Sequence, residues 1–235
     1  KSVQELDYFS QNVNRGLKEA ETKNYGICMD RFVQQNLDEL VNTDYPSIEY
    51  NQKLQYIRTI LTDEYDPQSP ISCMLYIDQY GNKLEIGTSP WEISDKSVVE
   101  IQNKMIEAGG AYATYGPTYD CPFFVSGRVI KNRLDMSLSD LGMLICVCDV
   151  NEIIEQNKNQ LSSDEAAVYV YNKDCAVYED TGTRKRAGLP TYKKHSGYHI
   201  LSEKGKKFFV SYLYSEQTDW TYVSFFPYSD IYGQV

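Results

Sequence analysis

Leu6, Val13, Ala20 and Ile27 recur every seven residues, with Val3, Phe9 and Leu17 flanking them. Phe32, Val33, Leu37, Leu40 and Val41 carry the apolar stripe onward at helical spacing. The pattern predicts helix from residue 3 to about residue 41, with a kink or interruption at Asn24-Tyr25-Gly26. Drawn as one rod, nearly forty residues would extend about 60 Å, more than a compact domain of this size needs. Two readings follow. The helix is a stalk that leaves the domain and pairs with a second copy, or it is two consecutive helices packed into a core.

A break containing Pro46 separates this stretch from a short helix, Asn51 to Glu64, with Leu54, Ile57, Ile60 and Leu61 on one face. Asp66-Pro67 and Ser69-Pro70 end it. Ile71 to Asp78 has strand character, Asp78 to Asn82 is a hairpin turn with Gly81 in place, and Lys83 to Gly87 returns. Ser94 to Ala108 predicts a helix with Val98, Ile101 and Met105 as its stripe, stopped by Gly109-Gly110. The centre of the chain is Ala111 to Val150. There the strand formers Phe123, Phe124 and Val125 continue to Ile130, and a second apolar run spans Met143 to Val150. These predict an antiparallel pair in the middle of a sheet. A helix from Asp149 to Leu161 leads to a second set of the same parts: Ala166 to Tyr171, Ala176 to Tyr178, a loop over Thr181 to Ser196, then Gly205 to Tyr214 and Trp220 to Phe226. FFVS occurs at Phe123–Ser126 and again at Phe208–Ser211, and Ile145–Ile153 matches Val223–Ile231 in layout. Two echoes in the same order predict two similar modules in tandem, each an antiparallel sheet flanked by helices, an α+β fold.

Composition narrows the function. A formal charge of −10 excludes the basic footprint that nucleic-acid binding needs. No run of about 18 or more apolar residues is present. The chain starts inside a helical pattern and stops abruptly at Tyr232-Gly233-Gln234-Val235, which reads as a piece of something longer. The six cysteines have no CxxC spacing, so neither a metal site nor a cofactor is expected. A catalytic pairing of Cys121 with His195 or His199 lacks any nucleophile-elbow or phosphate-loop context, and no catalytic residue is assigned. Tyrosine, with 21 copies, supplies rings with a wet hydroxyl. Together with one arginine and one aspartate the aromatics predict a pocket for a small polar ligand, with candidates Tyr76, Trp91, Tyr112, Tyr115, Tyr119, Asp120, Phe124 and Arg128. Arg128 would pair with an anionic group through its planar fork, and Asp120 would accept from an amine or hydroxyl. The alternatives are that Arg128 projects from a solvated sheet face, that Trp91 is a core anchor, and that Tyr76 faces either side of its strand. Arg184, Lys185, Arg186, Lys193 and Lys194 form a basic loop, either simply solvated or near anionic lipid.

Several segments together resemble the double Cache extracytoplasmic sensor domains of bacterial membrane receptors, above all those of sensor histidine kinases. They are the long first helix, Tyr76–Asn82, the stretch from Tyr115-Gly116-Pro117 to Ser126-x-Arg128-x-Ile130, Gly142–Ile154, and Asp219–Val223 with Pro227-Tyr228-Ser229. The resemblance implies a stalk and dimerisation helix over 1–43, a membrane-distal PAS-like module with the ligand pocket over 44–163, and a membrane-proximal module over 164–235. It implies a homodimer through the first helix, flanking transmembrane helices, a location outside the bacterial cell membrane, and no enzymatic activity in this part. A diguanylate cyclase or chemoreceptor sensor, or an extracellular peptide- or protein-binding module, are the alternatives. The family's amino-acid-binding subset carries an arginine on the strand after the helix. Here that place is Ala111-Tyr112-Ala113-Thr114-Tyr115, without arginine.

Overall fold

The computed structural model describes residues 2–88, 95–135, 137–161, 166–180, 183 and 195–229. Helix α1 runs unbroken from Ser2 to Met29, and α2 from Arg31 to Val41. The break therefore falls at Asp30, not at Asn24-Tyr25-Gly26. Asp30 has extended backbone angles and its carboxylate accepts from the Val33 amide at 2.9 Å, so a capping side chain starts a new helix. Leu6, Phe9, Val13, Ala20, Ile27, Val33, Leu37 and Leu40 are all buried in the chain's own core. Most of the apolar stripe is thus consumed within one chain, as in the reading of two consecutive core-packing helices, while Phe32 stays 52% exposed. Helix α3, Ile48–Glu64, is capped by Ser47, whose hydroxyl accepts from Tyr50 N at 2.9 Å.

The remaining elements are β1 Ile71–Ile77, β2 Lys83–Gly87, α4 Asp95–Glu107, β3 Ala113–Tyr115, β4 Phe124–Lys131, β5 Asp140–Cys148, α5 Val150–Asn157, β6 Ala167–Tyr171, β7 Ala176–Glu179, β8 Ser196–Glu203, β9 Lys206–Ser215 and β10 Trp220–Pro227. They form two five-stranded antiparallel sheets, ordered β2-β1-β5-β4-β3 and β7-β6-β10-β9-β8. The second order repeats the first strand for strand, so the FFVS echo marks the same strand of each sheet. The expected pair is β4 with β5.

The chain divides into two compact units, Leu17–Asp149 and Lys1–Gly16 with Val150–Val235. In the first, alternation along the strands sorts the sheet into two faces. One carries Cys73, Ile77, Val125, Val129, Ile145 and Val147 against Ile101 and Met105 of α4. The other meets α1, where Asn24 donates to the Leu144 carbonyl at 2.9 Å. In the second unit, Tyr169, Val210, Val223 and Phe225 make one face. The opposite face takes the start of α1, with Phe9 edge-on to Tyr222 at 6.1 Å. Strand β8 is a departure from the expected loop and unassigned stretch. Its residues are exposed on both sides, so no apolar alternation announces it. Among the described residues no helix is long and apolar enough to cross a membrane.

Candidate functional site

Strand register defines the neighbourhood of Arg128. Leu84, Tyr76, Leu144 and Arg128 stand in one cross-strand row on the α1-facing side of the first sheet. Continuing the pairing of Ala113 with Gly127 places Tyr112 next to Arg128 at the end of that row. Arg128 is 7% exposed, which rules out the solvated-face reading. Its Nε donates to Asn24 Oδ1 at 3.0 Å, and its guanidinium carbon lies 5.0 Å from the Tyr25 ring centroid and 5.5 Å from that of Tyr112. Two aromatic faces beside a guanidinium stabilise it electrostatically but supply no acceptor lone pair.

No carboxylate forms an ion pair with Arg128 among the described residues. The nearby thiols do not substitute for one. Burial pushes Cys28 and Cys146 up to about 12, and the Arg128 charge only partly opposes it, so both stay neutral near pH 7. Ser126 Oγ and Tyr112 Oη, on the same face, are buried without a hydrogen-bond partner. Burial raises the Tyr112 hydroxyl well above the usual phenol range; Ser126 pulls the other way without reaching hydrogen-bonding geometry. A buried guanidinium with unused donors, flanked by two unused hydroxyls and two rings, is built to accept a compact anionic group.

The eight residues singled out by sequence do not all converge. Tyr112 and Arg128 come together. Tyr76 shares their row but sits two strands from Arg128, is 1% exposed, and donates to the Leu141 carbonyl at 2.7 Å, which makes it a core residue. Phe124 is on the same face four residues along β4, about 13 Å away at strand rise. Tyr115 belongs to the α4-facing core and donates to Glu100 at 2.5 Å. Tyr119 is 85% exposed. Asp120 lies 3.9 Å from Lys96 of α4, on the other side of the sheet from Arg128's surroundings. Trp91, and the basic positions 184–186 and 193–194, lie outside the described residues. Asn24, Tyr25 and Ser126 are the neighbours that sequence reasoning passed over. The sequence pattern assigns the first two to a helix break, although a polar residue at a core-facing helical position is itself a signal.

The groups of the catalytic alternative do not combine in either unit. Cys121 is fully buried in the α4-side core, its thiol raised by desolvation, while His195 and His199 belong to the other unit. Among the described residues no cluster of His, Cys, Asp and Glu could hold a metal.

No family model matches the chain. It is 23% identical over 245 residues to the sensor histidine kinase YesM of Bacillus subtilis, covering all of this chain and 41% of that protein. The chain therefore spans about two-fifths of that relative's length. An extracellular domain assigned to a histidine kinase, vpHK1S-Z8, superposes with a TM-score of 0.65 at 13% identity, over 98% of this chain and 93% of that one. The ligand-binding domain of the Pseudomonas aeruginosa amino acid chemoreceptor PctB, in complex with L-Arg, gives a TM-score of 0.57 at 12% identity, over 97% and 94%. At these identities the likeness to the solved structures is one of fold. The chain has the fold of the extracellular double Cache sensor domains of bacterial signalling receptors, the family that its sequence resembles.

Proposed function

We propose that this chain is the extracytoplasmic sensing part of a bacterial membrane receptor, and that unit Leu17–Asp149 binds a small molecule through a carboxylate or similar anionic group at Arg128. The observation that carries the ligand class is the buried guanidinium between two tyrosine rings with no carboxylate partner among the described residues. A lone buried charge is costly unless it is paired, and an arriving carboxylate would pair it. The PctB domain's L-Arg carries such a group. A histidine kinase is the output best supported, by the relative in Bacillus subtilis. Transmembrane segments on either side and a homodimer belong to the same reading. A dimer contact through α1 would use its outer side, because the inward stripe is already buried.

The relay we propose runs through Asn24. Its side chain holds both the Arg128 Nε and the Leu144 carbonyl. A ligand that draws the guanidinium toward itself loads α1 directly, and it signals to the extent that it binds two arrangements of α1 unequally. The test is a thermal-shift screen of small mono- and dicarboxylates and amino acids. A saturating ligand at a hundred times its Kd should stabilise by about 2.7 kcal/mol. Arg128→Leu should remain folded and lose the shift. A carboxylate whose shift survives Arg128→Leu would place its site elsewhere and sink the assignment.

A further inference from the structure

In the second unit, α1 and β10 give one end of the sheet a special place. Ser2 shares a hydrogen bond with Ser211 at 3.0 Å, Phe9 meets Tyr222, the cross-strand partner of Leu213, and Asn14 donates to Ser215 at 3.1 Å. Helix α1 therefore climbs along β9 away from that strand's first residue, Lys206. Strand β10 runs the other way and ends with Pro227 opposite Phe208. The start of α1 and the end of β10 thus lie toward the same feature, the turn that joins β8 to β9.

That turn is Lys204-Gly205, with Glu203 paired to Lys206. Its φ angles of 48° and 79° are those of a tight two-residue hairpin turn. Lys204, Lys206 and Lys207 are exposed on it, and none forms an ion pair among the described residues. Lys207 Nζ lies over the Tyr228 ring, 5.9 Å from its centroid, just past the end of β10. Alternation puts Lys206 and Lys207 on opposite faces of β9 with Lys204 at the tip, so the ammonium groups surround the hairpin end. The turn at the other end of β9, residues 216–219, has Glu216 and Asp219 and no basic residue. In a chain of formal charge −10, the basic turn is the one beside the start of α1 and the end of β10.

We infer that residues 203–207 form a docking surface for anionic phospholipid, in which Lys204, Lys206 and Lys207 donate to headgroup phosphates. The inference rests on the receptor reading, in which membrane segments flanking this chain leave from the end that bears the turn. Lysine suits the task as a flexible point charge with three donors. Each lysine near an anionic surface adds about fivefold to binding, and Glu203 offsets one of the three. The attraction fades within a Debye length, about 8 Å at physiological salt, so it acts only on a turn held at the headgroups.

The test tethers this chain by a C-terminal polyhistidine tag to nickel-chelating phosphatidylcholine vesicles, with or without phosphatidylglycerol. Acetylation of each lysine is followed by mass spectrometry, with exposed Lys173, in the turn after β6 at the far end of the sheet, as reference. Phosphatidylglycerol should slow acetylation of Lys204, Lys206 and Lys207 by about fivefold or more and leave Lys173 unchanged. The slowing should vanish in molar sodium chloride, where the Debye length falls to about 3 Å. Lys204→Asn, which suits the positive φ, with Lys206→Gln should keep the Tm and return Lys207 to its rate on phosphatidylcholine. Equal rates on the two vesicles, slowing shared by Lys173, or slowing that survives salt or the double substitution would overturn the proposal. So would the same protection from soluble glycerol phosphate, which would make the turn a site for free phosphate. The tether supplies the anchor, so failure here leaves the receptor reading standing. That reading falls separately if the full-length protein does not sediment with membranes.

Discussion

Strands β4 and β9 hold the same place in their two sheets and share Phe-Val-Ser, then part at the next two positions. Ser126 pairs with Cys146 as Ser211 pairs with Ser224. After them come Gly127 and Arg128 in one unit, Tyr212 and Leu213 in the other. Gly127 admits α4: Met105 Cε would lie 2.8 Å from a Cβ there. Tyr212 instead packs on its sheet's own apolar cluster. Arg128 meets α1 through Asn24, whereas the unit with Leu213 turns Tyr222 toward the same helix, where it meets the Phe9 ring edge to face. Fold is preserved because the strand alternation is preserved. What differs, among the described residues, is that the helix-facing side buries a charge in the Arg128 unit and none in the other.

The largest test of that difference is Gly127→Ala. A Cβ would lie 2.4 Å from the Leu144 carbonyl oxygen and 3.0 Å from Ile145 Cα, and backbone atoms of a central strand cannot yield. Overpacking of this kind should cost about 3 kcal/mol, read by urea denaturation, with hydrogen exchange rising in β4 and β5. A loss below about 0.5 kcal/mol, within the range of an ordinary surface change, would mean that the α4 side is loosely packed and that the contrast with Tyr212 is cosmetic.

The strand sequence announced most of this architecture and little of the site. Runs such as Ile71–Ile77 and Trp220–Pro227 declare themselves because burial makes them apolar. The FFVS echo was legible because equivalent strands need equivalent inward residues. Strand β8 was hidden because exposure removes the alternation that identifies a strand. The site depends on a face assignment and on a helix over a hundred residues upstream, and neither is a local property. Arg128 and Tyr112 could be named from composition. Asn24, which holds Arg128, could not, since a pairing at that separation exists only once the sheet is folded. Asp120 illustrates the converse: it is eight residues from Arg128 in sequence, yet its neighbour is Lys96.

Alkaline pH should separate the two units by their titrating groups. In the Arg128 unit, burial raises Cys73 to about 11 and Cys28 and Cys146 to about 12, from an ordinary 9.0. Where Cys146 and Cys148 stand, the other unit has Ser224 and Phe226. A folded-state pKa above the unfolded one means that the unfolded thiol ionises first. The stability it contributes is complete below pH 9 and is lost as pH rises toward the folded value. Each such thiol should remove about 1.4 kcal/mol per pH unit across that window. Cys28→Ala should flatten the slope by one thiol's share. In hydrogen exchange, strands β1, β4 and β5 should loosen from pH 9, while the second unit, whose buried Tyr222 is also raised but from 10.0, should follow later. Simultaneous onset would mean that the thiols do not govern the difference.

The smallest effect is also the sharpest comparison, because it concerns one side chain at equivalent positions. Ser211 and Ser126 are both fully buried. Ser211 shares a hydrogen bond with the Ser2 hydroxyl at 3.0 Å, while Ser126 Oγ has no partner. Removing a satisfied hydroxyl should cost about 0.5–1.5 kcal/mol, and removing an unsatisfied buried one should be neutral or stabilising. Ser211→Ala should therefore destabilise, and Ser126→Ala should not, when both are measured by denaturation without ligand. With a carboxylate bound at Arg128 the order should close, because Ser126→Ala then deletes a donor that the ligand uses and weakens its affinity. Equal losses in the two ligand-free variants would give Ser126 a partner inside the fold, and the helix-facing side of this sheet would then be a finished structural network. Opposite signs, with ligand affinity falling only in Ser126→Ala, would leave Ser126 as a hydroxyl that only a ligand pairs, where Ser211 is already paired within the fold.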